Sequence, residues 1–321
     1  MKALTNLKFL KLYRGDSDIV PPNIISSLSA LEDLDMRLEA FGEGNSNFSF
    51  AEVASLPCLT SVSLRVTHAG FLSTDISFDL GNSRKFCLLV NAFGILTVRS
   101  RSFEYWWKTL ELNMADVAKP MAPWVKGFIG KTEHLELRND KHIESVGQLD
   151  EGGGLNNVKC LRLISCCRIE YIFKVGVRGE YAPQVAFRML TELCILFMRD
   201  LKAICQGPIP LQCFQNLRKL YIGNCNNLRY LLSVAMTQRF RKLEELRVIC
   251  CSEMLSIIEA EEVDPKAMAC SSAAIRQSID NKVFPRLRVL QLSGLPKLSV
   301  FYQVHDFNWF IATQIKFLLD F

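Results

Sequence analysis

The run Phe214-Gln-Asn-Leu217-Arg-Lys-Leu220-Tyr221-Ile222-Gly-Asn-Cys225-Asn-Asn-Leu228-Arg-Tyr-Leu231 places an apolar residue at steps of three, three, two, three, three and three. The single step of two, Leu220-Tyr221-Ile222, is strand periodicity, because alternate side chains of an extended chain point to opposite faces. Leu220 and Ile222 therefore face one way and Tyr221 the other. The flanking steps of three let the chain turn while each apolar side chain returns to the same column.

The phrase L-x-x-L-x-x-L-x-L recurs along most of the chain. It reads Leu4, Leu7, Leu10, Leu12; then Leu28, Leu31, Leu34, Met36; then Leu56, Leu59, Val62, Leu64. Clearer copies run Leu155, Val158, Leu161, Leu163; Phe187, Leu190, Leu193, Ile195; Phe240, Leu243, Leu246, Val248; and Phe284, Leu287, Leu290, Leu292. Weaker ones centre on Leu88, Leu110-Glu111-Leu112 and Leu135-Glu136-Leu137. With the third position as marker, the steps run from 22 to 32 residues except for a last one of 44. A period of about 20–29 residues is that of leucine-rich repeats. The predicted fold is α/β, a leucine-rich-repeat solenoid with a curved parallel sheet on its concave face and an irregular or helical convex face. The solenoid is expected over 1–302, with irregular repeats at 71–150 and an acidic insertion at about 259–283; a non-repeat tail occupies 303–321. Four apolar side chains cannot offset the entropy of ordering one repeat, so a copy folds only against its neighbours.

After the strand, the better copies carry a cysteine and then apolar residues at steps of three. Cys166, Ile169, Ile172 match Cys225, Leu228, Leu231 and Cys251, Met254, Ile257. A small, weakly polar side chain suits a position that turns inward against the turning backbone, so these cysteines read as structural. No C-x-x-C pair is present, and the adjacent pairs Cys166-Cys167 and Cys250-Cys251 point to opposite faces of an extended chain. With His68, His134, His142 and His305 scattered, no metal site is expected.

The 321 residues are 49% apolar, which excludes extensive disorder, and the net charge of +5 comes from 38 basic and 33 acidic residues spread along the chain. The tightest basic cluster, Arg239, Arg241 and Lys242, reads as a solvated loop edge, and no nucleic acid is expected as a partner. The N-terminus enters the repeat at once, without the apolar run of a secretion signal. Asp306, Gln314, Lys316 and Asp320 interrupt the apolar tail, so no membrane insertion is expected either. Gly130-Lys131-Thr132 resembles the end of a phosphate loop, but Val125 stands where the first glycine is needed. No nucleophile–base spacing appears. The chain is thus read as non-enzymatic, without cofactor, and intracellular, cytoplasmic or nuclear.

The phrases Phe214 to Leu231 and Phe284-Pro-Arg-Leu-Arg-Val-Leu-Gln-Leu-Ser-Gly-Leu-Pro-Lys-Leu298 resemble the C-terminal repeats of plant coiled-coil nucleotide-binding leucine-rich-repeat disease-resistance proteins. The interruption after Ile258, with Glu259, Glu261, Glu262 and Asp264 followed by a polar stretch to Lys282, is similar to that family's acidic insertion. The match is strong from about 155 to 301 and looser from 4 to 150. Val304-His305-Asp306 resembles the family's Met-His-Asp motif but follows the repeats instead of preceding them. The resemblance implies a protein-interaction module of an intracellular immune receptor, binding a pathogen effector or a guarded host protein, or autoinhibiting a nucleotide-switch domain that this chain lacks. The alternative is the substrate-recognition repeat of a ubiquitin-ligase adaptor.

In each strand the residue between the two leucines faces the concave side, where partners of solenoids dock. These residues are Lys11, Asp35, Ser63, Glu111, Glu136, Arg162, Cys194, Tyr221, Arg247 and Gln291, with Tyr13, Arg37, Arg65, Arg138, Leu196 and Ile249 beside them. Tyrosine and arginine are typical interface anchors. The candidate partner-binding residues are Arg138, Arg162, Leu196, Tyr221, Arg247 and Ile249. Tyr105-Trp106-Trp107 offers a further groove or a plug for a degenerate repeat. In the tail, Ile311, Ile315, Leu318 and Leu319 would share one helical face.

Overall fold

The computed structural model describes residues 4–12, 21, 23–38, 50–66, 85–90, 108–115, 117, 121–149, 154–174, 187–207, 212–259, 283–302 and 316–318. Tyr13, the Tyr105-Trp106-Trp107 group, most of the insertion, and Val304-His305-Asp306 lie outside them. The chain divides into two compact units, Met1–His142 and Ile143–Phe321.

Among its described residues the N-terminal unit stacks six strands, β1 (Phe9–Leu12), β2 (Asp33–Leu38), β3 (Ser61–Val66), β4 (Lys85–Val90), β5 (Thr109–Asn113) and β6 (His134–Arg138), each parallel to the next. Leu34, Met36, Val62, Leu64, Leu88, Leu110, Leu112, Leu135 and Leu137 are buried, as the phrase predicts. The pairing corrects the phase of the weaker copies. Leu88 lies beside Leu64, whereas taking Leu88 as the third-position marker of its copy sets it beside Val62, whose neighbour is Phe86. A slip of two keeps every side chain on its face, so the core survives, but the outward rows change. Lys11, Asp35 and Ser63 continue into Cys87, Thr109 and His134, while Glu111 and Glu136 join the row of Arg65 and Leu89.

Among its described residues this unit has two short helices, α1 (Phe50–Ala54) and α2 (Pro123–Ile129). Buried Glu52 of α1 accepts the backbone N–H groups of Asn23 at 3.0 Å and Ser26 at 3.4 Å, satisfying a turn between strands. Proline at the start of α2 lacks a donor that would be unpaired anyway. Val125, Phe128 and Ile129 are buried, and the Phe128 ring meets Phe86 edge-on with centroids 5.3 Å apart. Gly130 closes α2 with its N–H on the Lys126 carbonyl, and the Thr132 hydroxyl donates to the Phe128 carbonyl at 2.9 Å. The phosphate-loop lookalike is therefore a helix C-terminus, where carbonyls and not N–H groups are presented.

The C-terminal unit contains β7 (Cys160–Ile164), β8 (Tyr171–Lys174), β9 (Glu192–Leu196), β10 (Ala203–Gln206), β11 (Lys219–Gly223), β12 (Tyr230–Ser233), β13 (Glu245–Ile249), β14 (Ser256–Glu259), β15 (Val289–Ser293), β16 (Val300–Tyr302) and β17 (Lys316–Leu318). The main parallel sheet runs β7-β9-β11-β13-β15-β17. The return run holds further parallel strands, β8 with β10 and β12-β14-β16, beside the short helix α3 (Val234–Thr237). That layer is more regular than the irregular or helical one expected from sequence. Of Ile311, Ile315, Leu318 and Leu319, read as one helical face, Leu318 pairs instead within β17 against β15 as a strand, and the other three lie outside the described residues.

The steps of three are turns. Leu190, Leu217, Leu243 and Leu287 donate their N–H to the carbonyls of Phe187, Phe214, Phe240 and Phe284, and Leu228 and Met254 to those of Cys225 and Cys251. Each such bond brings residues three apart to the same interior. Phe187, Phe214 and Phe284 accept φ of 51–62° to enter the turn, a region costly for a bulky residue. Ring stacking compensates: Phe187 lies 5.3 Å from Phe214 at 19°, and Phe214 5.7 Å from Phe240 at 14°.

A second left-handed residue follows each strand. Ser165, Phe197, Asn224 and Cys250 have φ of 54–56°, and each donates its N–H to the next repeat, to the carbonyls of Leu196, Gly223, Ile249 and Ser293. The reversal turns Cys166, Met198, Cys225 and Cys251 inward, all fully buried. The Cys225 thiol lies 3.5 Å from the Gly223 carbonyl and the Cys251 thiol 3.6 Å from that of Ile249, as expected of structural cysteines. A hydrogen bond shared with Cys251, together with burial, pushes the Cys225 thiol well up. The folded state thus keeps a proton that the unfolded thiol loses near pH 8.5. Its contribution is complete below that pH and declines above it. Wild-type Tm is expected to fall more steeply above about pH 9 than that of Cys225→Ala; parallel melting curves across pH 7–10 would refute the assignment.

Ion pairs stitch successive repeats at the surface. Lys219 meets Glu192 at 2.7 Å, Arg218 meets Glu244 at 3.0 Å, Lys202 meets Glu170 at 2.8 Å and Lys297 meets Glu253 at 2.7 Å. Lys8 and Glu32 do the same at 2.8 Å in the N-terminal unit. Exposed pairs of this kind contribute at most about 1 kcal/mol each, so they register the stack more than they stabilise it.

Candidate protein-docking face

The outward face of the C-terminal sheet is organised by its register into rows. One row runs Arg162, Cys194, Tyr221, Arg247, Gln291, and the row beside it runs Ile164, Leu196, Gly223, Ile249, Ser293. The pattern of buried and half-buried residues along β7, β9 and β13 confirms that these side chains point away from the core. Five of the six residues picked from sequence, Arg162, Leu196, Tyr221, Arg247 and Ile249, thus share one face within two adjacent rows.

Tyr221 sits at the centre, paired in register with Cys194 and Arg247. Partial burial pushes its phenol up, against the opposing influence of Arg247, so the hydroxyl stays a neutral donor. The Arg247 guanidinium is held by an ion pair to Glu245 on its own strand and donates to Gln291 Oε1 at 3.3 Å. Both partners lie on the same face, so the arginine is oriented before any ligand arrives, which lowers the entropy lost on binding.

Gly223 creates the relief. A Cβ there would stand 2.8 Å from Leu196 Cδ2 and 3.8 Å from the Tyr221 hydroxyl, so Leu196 lies across the glycine and reaches toward the tyrosine. Ile249 closes the other side. The result is an apolar spot beside a tyrosine and a fixed arginine, the mixture that interface cores favour.

Phe197, absent from the sequence-based selection, follows Leu196 and is 50% exposed at φ 56°. Its equivalents are Ser165, Asn224, Cys250 and Gly294, all with smaller side chains, so an exposed phenylalanine there is costly on two counts. The signal was legible in the alignment of copies, where a ring stands in a column of small and polar residues.

Arg138 belongs to the N-terminal unit, where it is half-buried in an ion pair with buried Glu136. Glu111 and Glu136, expected to face a partner, are only 7% and 4% exposed. Arg65 is half-buried on the outward side, and the Arg37 side chain lies outside what the structure describes. Among the described residues, no helix is long and apolar enough to cross a membrane.

Comparison with known proteins places this face in context. Residues 189–311 match the family model described as plant disease resistance protein RPS2-like, leucine-rich repeats. A disease resistance protein of Arabidopsis thaliana is 23% identical over 312 residues, 93% of this chain. The chain spans 29% of that relative's length. No solved structure matches the chain.

Proposed function

From the premise that residues 189–311 are leucine-rich repeats of the plant disease-resistance type, we propose that this chain is the protein-recognition part of an intracellular immune receptor. Its outward C-terminal face docks a pathogen effector or a guarded host protein, or holds a nucleotide-switch domain inactive. The observation that carries this reading is the register-enforced union of Arg162, Tyr221 and Arg247 with Leu196 and Ile249 around Gly223. The family resemblance supports an intracellular location. Neither comparison points to a ubiquitin-ligase adaptor.

The test supplies the chain separately with the nucleotide-switch domain of a receptor of this family. Co-precipitation followed by titration is expected to show binding. Tyr221→Ala combined with Arg247→Ala should weaken it by about 30-fold or more, the size of a paired anchor loss. Lys202→Ala, an exposed pair on the other edge, should leave it within about twofold. Binding that is indifferent to the double variant would remove this face from the proposal.

A further inference from the structure

Charge in the C-terminal unit is distributed unevenly between the two edges of its main sheet. At the edge where strands end, three of the five cations among the described residues meet carboxylates: Arg168 pairs with Glu144 at 2.9 Å, Lys202 with Glu170 and Lys297 with Glu253. Only the separated Arg199 and Arg229 are left unpaired among the described residues, and Arg199 has Asp200 beside it in the chain. At the edge where strands begin, the short segments between each phenylalanine turn and its strand carry Arg188, Arg241, Lys242, Arg286 and Arg288. Arg188, Arg241, Arg286 and Arg288 are exposed and form no side-chain hydrogen bond or ion pair among the described residues. Lys242 donates to Asn216 Oδ1 at 2.6 Å and makes no ion pair among the described residues.

The repeat geometry makes this accumulation unfavourable by itself. Lys242 and Arg286 occupy the same position in neighbouring repeats, as the pairing of Glu245 with Val289 requires. Such positions lie about 4.8 Å apart, well inside the screening length. Glu244 stands between Arg218 and Arg288 in the same way and is committed to Arg218 at 3.0 Å, leaving Arg288 without a counter-ion among the described residues. Like charges held in register cost stability that a bound anion restores.

We infer that this strand-entry edge is a second docking surface, separate from the outward face, and that its occupant is an acidic segment of a protein partner. Guanidinium forks match carboxylates bidentately. Glu192, Glu244 and Glu245, paired with Lys219, Arg218 and Arg247, lie between these cations and break the positive charge into separate positions, which staggered carboxylates match better than a phosphate backbone charged at every nucleotide. At this edge the turn phenylalanines Phe187, Phe214, Phe240 and Phe284 are at most 3% exposed and offer no platform for base stacking, whereas Met189, 46% exposed beside Arg188, receives an aliphatic side chain.

Fluorescence anisotropy with a short fluorescein-labelled glutamate-rich peptide containing interspersed leucines tests this on the full chain at low salt. Arg286→Glu with Arg288→Glu is expected to weaken binding by about tenfold or more, and to flatten its salt dependence. Arg199→Glu with Arg229→Glu, the same charge change on the strand-exit edge, should alter it by about twofold at most. Arg286→Lys with Arg288→Lys, which keeps the charge and the fold, should give an intermediate loss because the fork is gone. Tyr221→Ala should leave peptide binding unchanged, so this surface stands or falls independently of the outward face. Equal losses from the two reversals, no peptide binding in the wild type, or tighter binding of a single-stranded oligonucleotide of equal charge would each overturn the assignment.

Discussion

Phe214→Ala is expected to destabilise the C-terminal unit by about 3–5 kcal/mol, the upper range for truncating a buried aromatic. Three terms act together. The ring is fully buried, it is stacked between Phe187 and Phe240 at 5.3 and 5.7 Å, and its backbone sits at φ 59°, a conformation tolerated only while the stack holds the turn. Alanine removes the stack and keeps the backbone penalty. The defect also spreads, because each repeat is ordered by its neighbours. Urea unfolding followed by circular dichroism should show the lost stability, with amide exchange accelerated in β9, β11 and β13 together. A loss below about 1 kcal/mol, or exchange confined to one strand, would mean that the phenylalanines fill space independently.

Gly294→Val should cost about 2–4 kcal/mol, combining a left-handed β-branched residue with a backbone collision. Gly294 has φ 63°, and a Cβ there would lie 3.0 Å from Cys250 Sγ and 3.2 Å from the Cys250 backbone nitrogen and Cα. A flexible side chain could yield, but a backbone that donates from Cys250 to Ser293 at 2.8 Å cannot yield without breaking that bond. Gly223→Val makes the contrast, since the nearest atom there is the far end of Leu196. It should unfold nearly as late as wild type while disturbing the docking face. Equal Tm losses for both substitutions would refute the distinction.

Much of this architecture is legible because a repeat states its rule many times. The step of two identifies each strand, and the steps of three identify turns whose hydrogen bonds return apolar side chains to one interior. The cysteine column follows from the same alignment, as does the outward position of Tyr221 and Arg247. Legibility fails where the copies are weak. At Leu88 a slip of two residues satisfies the hydrophobic pattern equally well, and only the hydrogen-bonded register distinguishes Leu64 from Val62 as its neighbour. Exposure is hidden for a related reason. Glu111 and Glu136 occupy outward positions by period, yet their surroundings bury them.

Sequence alone determined that this chain is a stack of leucine-rich repeats, which residues face inward, and which family its C-terminal repeats resemble. Periodicity records these because each repeat must bury the same columns against the next. Tertiary structure decided what long-range pairing controls: the rows that unite Tyr221, Arg247, Leu196 and Ile249, the relief that Gly223 leaves for Leu196, and the assignment of Arg138 to the other unit. It also decided which cations meet a carboxylate, because ion pairing depends on residues some 25 to 45 positions apart that only the stacking of repeats brings within reach.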